Sequence, residues 1–195
     1  MISAALEHAE CYPGRVELLF QDEASFYRQP SQGWLWSYIG RKQPRMRWSH
    51  RSNTLVRAAG CVNARTGATH VLQAKQITVP RLIESYRQLL EAYPDAVMIY
   101  LVQDNWPVHN HEKVQAFCKE HPRLQILFLP TYAPRLNPAE KLWRWVRQTL
   151  CHAHPFCDDF NEFKAQLREQ FAEAAAKPEI LRRYCGMRFL KIFCI

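Results

Sequence analysis

Apolar residues first fall in short runs and then, past residue 79, in the wider spacing of helices. Residues 15–20, with Val16, Leu18, Leu19 and Phe20, predict a first strand. Residues 33–40, with Trp34, Leu35, Trp36, Tyr38 and Ile39 between two glycines, predict a second, and residues 55–62 a third. The Asn63, Ala64, Arg65, Thr66, Gly67 stretch is a turn signal, after which residues 69–72 return as a strand. From Pro80 the period changes. Leu82, Ile83, Tyr86, Leu89 and Leu90 share one helical face, and proline is tolerated at a first helical position. A strand over 97–102, a helix over 111–121, a strand over 124–129 and helices over 137–150 and 159–176 follow. A β meander followed by α-β-α-β-α predicts a mixed sheet with helices on its faces.

At 195 residues and 23.0 kDa the chain can bury one well-packed domain and is short for two. Lys and Arg number 26 against 18 Asp and Glu, which leaves +8 and a pI near 9.3, so the surface attracts polyanions. Nucleic acid is the usual one, although many basic proteins bind none. The seven cysteines are odd in number and form no Cys-x-x-Cys pair, which fits a reducing compartment. The first residues lack a basic segment followed by an apolar core, and no uncharged apolar run approaches the ~20 residues that span a bilayer. A soluble, cytoplasmic protein with no membrane partner is expected.

Three carboxylates stand at element boundaries. Asp22 follows the first run in LLFQDEASF, Asp104 follows the strand over 97–102 in IYLVQDNWPVH, and Glu140 lies in the first turn of the helix over 137–150. Two carboxylates at strand ends and a third on a nearby helix offer hard oxygen ligands to divalent cations, with coordination positions left for phosphate oxygens. Such a set suits phosphoryl transfer on nucleic acid. Glu140 has a second reading. Asn137 as N-cap, Pro138 at the first helical position and Glu140 at the third approach a capping box, a purely structural role. Lys141, Arg144 and Arg147 place positive charge along the same helix, and Leu142, Val146 and Leu150 form its buried stripe. A carboxylate among cations suits a site that handles a charged backbone.

Together, QDEASF with Asp22, QDNWPVH with Asp104 and His109, and LPTYAPRLNPAEKLW with Glu140 resemble the catalytic domain of DDE-superfamily transposases, in the bacterial insertion-sequence branch of the mariner superfamily. The resemblance covers residues 15–150 and is most specific over 129–143, where a proline-bounded loop, Asn-Pro and Glu follow in the family's order. It implies an α/β fold, a ribonuclease H-like mixed five-stranded sheet with helices on both faces. It implies that Asp22, Asp104 and Glu140 are catalytic and bind two Mg²⁺ or Mn²⁺ ions, Asp22 bridging both. The implied activity is metal-dependent DNA strand cleavage and strand transfer. Element ends and target DNA would be the partners, in a homodimer or larger synaptic complex associated with the bacterial nucleoid.

The chain departs from the family pattern in three places. One more residue than is commonest separates Asp104 from Glu140, and Thr131 stands where a second proline is frequent. Such transposases also carry helix-turn-helix units ahead of this domain, whereas about fourteen residues precede the first strand here. Residues 1–14 therefore read as a linker remnant, 15–150 as the catalytic domain and 151–195 as a C-terminal helical extension packed on it. Recognition of element ends is expected to come from a separate N-terminal DNA-binding polypeptide. The alternative function is a catalytically silent DNA-binding remnant.

Other residues carry paired readings. Glu23 would point away from Asp22 along a strand, as a surface residue or a neighbour of the ligands. His109 either orients a phosphate near the metals or makes a hydrogen bond where the following helix begins; Asn105 holds the turn after Asp104 or contacts substrate. The tract with Arg41, Lys42, Arg45, Arg47 and Arg51, interleaved with Trp48, suits phosphate contacts and stacking, or is a solvated hairpin. Cys151, His152, His154 and Cys157 lie too close in sequence for a usual zinc site, whose ligands come from two separated pairs. They read as a bend between helices that Pro155 enforces.

Overall fold

Alternation along the central strand sets the two layers of the molecule. The computed structural model describes residues 1–31, 38–42, 47–51, 53–130 and 137–187. In it, β1 (Val16–Tyr27) sends Val16, Leu18, Phe20, Ala24 and Phe26 into one apolar core and Leu19 into another. Successive side chains of a strand face opposite ways, so a strand covered on both faces reads as a nearly continuous apolar run. β1 pairs antiparallel with β2 (Leu55–Asn63), which pairs antiparallel with β3 (Thr69–Ala74). On its other edge β1 runs parallel to β4 (Met98–Gln103), which runs parallel to β5 (Leu124–Phe128). The order β3-β2-β1-β4-β5 is the mixed five-stranded sheet expected of a ribonuclease H-like domain.

Helices cover both faces. On one, α2 (Val79–Ala92) and α3 (Glu112–Glu120) bury Leu82, Tyr86, Leu89, Val114 and Phe117 against Leu19, Ile99 and Leu101. The other face carries α1 (Ile2–Cys11), α4 (Ala139–Val146), α5 (Phe160–Ala176) and α6 (Pro178–Tyr184). There Phe26, Trp143 and Phe171 meet edge to face with ring centroids 5.6 to 6.2 Å apart, a preferred geometry for aromatic quadrupoles. Trp143 is 2% exposed and thereby fixes the rotation of α4 over the sheet.

Four elements differ from the sequence reading. β1 does not stop at residue 20 but continues to Tyr27, because β2 supplies a ladder partner for every residue from Leu19 onward and Ala24 and Phe26 are buried. Asp22 therefore lies inside a strand rather than at its end. Residues 1–14, read as a linker, contain α1, whose Ala5 and Ala9 are buried in the core. A further helix, α6, follows α5 after Lys177, with Pro178 in its first turn. Of the strand expected over 33–40, residues 33–37 lie outside the described residues, and Tyr38 and Ile39 are exposed and not in a strand.

Candidate active site

Polar side chains on and around β1 build the site. Asp22 sits opposite Gly60 of β2. Its Oδ2 accepts a hydrogen bond of 3.0 Å from the indole Nε1 of Trp143 on α4. Gly60 makes this possible: a Cβ there would come within 2.5 Å of the Trp143 ring, so only glycine lets the indole lie across the strand and reach Asp22. Asn137 fixes where α4 begins. Its Nδ2 donates to the Gln21 carbonyl at 2.7 Å and its Oδ1 accepts from the Ala139 backbone N–H at 3.1 Å, so it ties the start of α4 to the residue before Asp22. Glu140 makes no side-chain capping hydrogen bond among the described residues and faces a cleft with Asp22, Arg144 and Arg147.

Asp104 follows β4 directly. Its Oδ1 accepts from the Trp106 backbone N–H at 3.1 Å, so Asp104 itself closes the turn assigned in the sequence to Asn105, which is exposed. The buried His109 backs this turn. Its Nδ1 lies 3.0 Å from the Asp104 carbonyl oxygen and 3.3 Å from Asp104 Oδ1, and its Nε2 lies 3.1 Å from Glu23 Oε1. Gln21 Nε2 donates to the same Glu23 oxygen at 3.0 Å. All partners of the imidazole are acceptors, so satisfying both nitrogens requires both to carry protons. Burial opposes that charge. The hydrogen bond and charge of Glu23, and then Asp104, outweigh it and hold the His109 pKa above its ordinary value.

The carboxylates of Glu23 and Asp104 thus stand beside the buried His109, with polar atoms of the three within 4.8 Å of one another. Asp22 and Glu23 face two adjoining clefts, one lined by Asp104 and Arg57, the other by Glu140, Arg144, Arg147 and His152. Burial, then the charge of Glu23 and more weakly those of Glu140 and Asp104, push the Asp22 carboxyl up to about 7, against a backbone hydrogen bond that lowers it. Hard oxygen donors that repel one another beside open clefts fit a divalent cation, whose charge would relieve the repulsion. Alternation predicts that Glu23 points away from Asp22, yet both line the two clefts, and His109, 86 residues away, meets Glu23 there. No local signal announces that contact.

Asp22 gives the metal-free protein a pH dependence. Its folded pKa stands above the ordinary 3.8, so the stabilising proton is held below about pH 4 in both states and is lost from the folded state as pH rises through about 7. Wild type in EDTA is expected to lose melting temperature between pH 5 and pH 8 relative to Asp22→Asn. His109 acts in the same direction, and His70 and His154, whose pKa values are lowered by burial, act oppositely; all three are common to both proteins and cancel in the difference. Parallel melting curves across this range would show that Asp22 is not held protonated.

The expected cationic residues divide. Arg144 and Arg147 line the Glu140 cleft, with the Arg147 guanidinium 5.5 Å from the Phe26 ring centroid. Lys141 turns away to donate to the Cys185 carbonyl at 3.2 Å. Arg41 and Lys42 form an exposed 3₁₀ turn, Arg47 is exposed, and Arg51 donates to the Asp158 carbonyl at 3.3 Å. Arg45 and the loop over 131–136 lie outside the described residues. His152 bonds Ser31, and His154 stacks on Phe163, so these two histidines of the bend have separate packing roles. Among the described residues no helix is long and apolar enough to cross a membrane.

A mixed sheet in the order β3-β2-β1-β4-β5 with helices on both faces defines a ribonuclease H-like domain. A profile of the DDE superfamily endonucleases matches residues 17–164, and the chain belongs to that family. The insertion element IS630 uncharacterized 39 kDa protein of Shigella sonnei is 24% identical over 137 residues, 70% of this chain and 39% of that protein. Among solved structures, the Mos1 mariner paired end complex with Mn superposes with a TM-score of 0.61 at 18% identity, covering 95% of this chain and 59% of that one. A simian T-cell lymphotropic virus intasome in complex with the PP2A regulatory subunit B56 gamma gives a TM-score of 0.50 at 17% identity, over 77% of this chain and 46% of that one. These two likenesses are of fold. The chain thus spans less than two thirds of the length of each of these relatives.

Proposed function

We propose that this chain is the catalytic part of a DNA transposase that cuts a DNA strand and joins the freed 3′-hydroxyl to target DNA. The observation that carries this reading is the carboxylate cluster: Asp22 held up to about pKa 7 by burial and by Glu23, Glu140 and Asp104, beside clefts lined with arginine. Asp22, Asp104 and Glu140 would hold two Mg²⁺ or Mn²⁺ ions. When bound, such ions make water nucleophilic and stabilise the leaving 3′-oxygen. Trp143 orients Asp22 through its indole N–H, and Asn137 places Glu140 by fixing the start of α4. Arg144 and Arg147 are positioned to hold phosphates of the scissile strand. Strand transfer repeats the displacement with a 3′-hydroxyl in place of water, so no serine or tyrosine nucleophile is needed.

DNA at element ends and target and a homodimeric or larger synaptic complex belong to the same proposal. The test is nicking of supercoiled plasmid by the purified chain. Open circles are expected with Mn²⁺ or Mg²⁺ and not with EDTA. If the plasmid is bound in both conditions but never nicked, the silent DNA-binding remnant is the correct reading.

A further inference from the structure

A further cleft of about 630 Å³ lies between the sheet and α5, and Glu140 is not among the residues that line it. Arg57, Lys75, Lys164 and Arg168 line it, and no Asp or Glu does. None of the four makes an ion pair among the described residues. Packing decides which side of α5 faces the cleft. Phe163, Leu167 and Phe171 anchor α5 in the core, which turns the adjacent stripe of Phe160, Lys164 and Arg168 towards the cleft. The Lys164 ammonium sits 5.0 Å from the Phe160 ring centroid. At the start of α5, the N-cap Asp159 accepts from the backbone N–H groups of Asn161 and Glu162.

The cleft also opens onto the active site. Arg57 and Gln76 line both this cleft and the one that holds Asp22, Glu23 and Asp104. Arg57 is paired with Ser25, three residues along β1 from Asp22, which is roughly 10 Å of strand. That distance is about three base-pair rises, and Lys164 and Arg168 stand roughly 6 Å apart along the α5 axis, close to two more. A run of cations that starts at the carboxylates and continues at the spacing of phosphates has one natural occupant.

We infer that this cleft carries the backbone of the duplex DNA leading away from the phosphate held at the carboxylates. This rests on the proposed function for the identity of the nucleic acid, and it adds the path that the DNA takes across the β3 edge and α5. Each phosphate neutralised releases counterions, so each lost contact lowers the slope of log affinity against log salt by about 0.9.

The experiment measures that slope for a random duplex and the full chain in EDTA. Lys164→Gln/Arg168→Gln is compared with Lys113→Gln/Lys119→Gln, two exposed lysines on α3 across the sheet. The α5 pair is expected to lower the slope by about 1.8 and the α3 pair to leave it unchanged. Lys75→Gln, on the opposite wall and outside any helix, is expected to lower it by about 0.9 and guards against a folding defect in the α5 pair. Wild-type slopes in the α5 and Lys75 variants, or equal losses in the α3 pair, would overturn the inference. Plasmid nicking separates the two proposals. A wild type that nicks while the cleft variants keep their slope removes the DNA path only. A wild type that never nicks while those variants lose slope removes the nuclease and keeps the path.

Discussion

Asp104→Asn is expected to lower Mn²⁺-dependent plasmid nicking on the order of a thousandfold while leaving the metal-free melting temperature unchanged. The amide has the size of the carboxylate, and its Oδ1 can still accept the Trp106 N–H that closes the turn. Only the charge is lost. A divalent cation binds anionic oxygen far better than amide oxygen, so the loss falls on metal binding and cleavage rather than on the fold. Glu140→Gln asks the sharper question. If Glu140 were a helix cap, glutamine would serve as well, and cleavage would be intact. No capping hydrogen bond to the Glu140 side chain exists among the described residues, so its carboxylate is free for the cleft, and Gln is expected to match the loss in Asp104→Asn. Rates of nicking and melting temperatures for both variants decide it. Full nicking by either one takes that residue out of the site.

The fold was largely legible because each layer writes its own period. Leu82, Tyr86, Leu89 and Leu90 face one core from α2, and the parallel strands β4 and β5 stand out as apolar runs. What was not legible depends on contacts between distant segments. The polar triplet Gln21, Asp22, Glu23 looks like the end of a strand, and only pairing with Cys61, Gly60 and Ala59 keeps it in the sheet. α1 carries its buried positions as Ala5 and Ala9, too small to mark a stripe. The carboxylates themselves could be named from their neighbours in sequence. Their supports could not: Trp143 reaches Asp22 across 121 residues, and Gly60 has meaning only once that indole is placed over it.

Glu23→Gln is the variant on which that hidden support can be measured, and its expected effect is a ten- to hundredfold rise in the Mn²⁺ concentration needed for half-maximal nicking. Glu23 acts through His109: its Oε1 meets Nε2, and the opposite nitrogen meets the carbonyl and carboxylate of Asp104. The ring therefore sets the direction of the Asp104 side chain, as an outer carboxylate–histidine pair orients a metal ligand. Glutamine keeps a hydrogen-bond partner for His109 but removes the charge that outweighs the burial of the imidazole, so the ring is expected to be held less as the cation that attracts the Asp104 carboxylate. Asp104 then loses direction without losing its charge. A defect of that kind is rescued by more Mn²⁺, whereas the Asp104→Asn defect is not. His109→Asn, which cannot bridge Glu23 and Asp104 together, is expected to show the same rescuable shift, and combining it with Glu23→Gln should add little, because both remove one relay. Additive losses in the double variant, or a Glu23→Gln defect that extra Mn²⁺ leaves untouched, would mean that Glu23 and His109 do not work through Asp104.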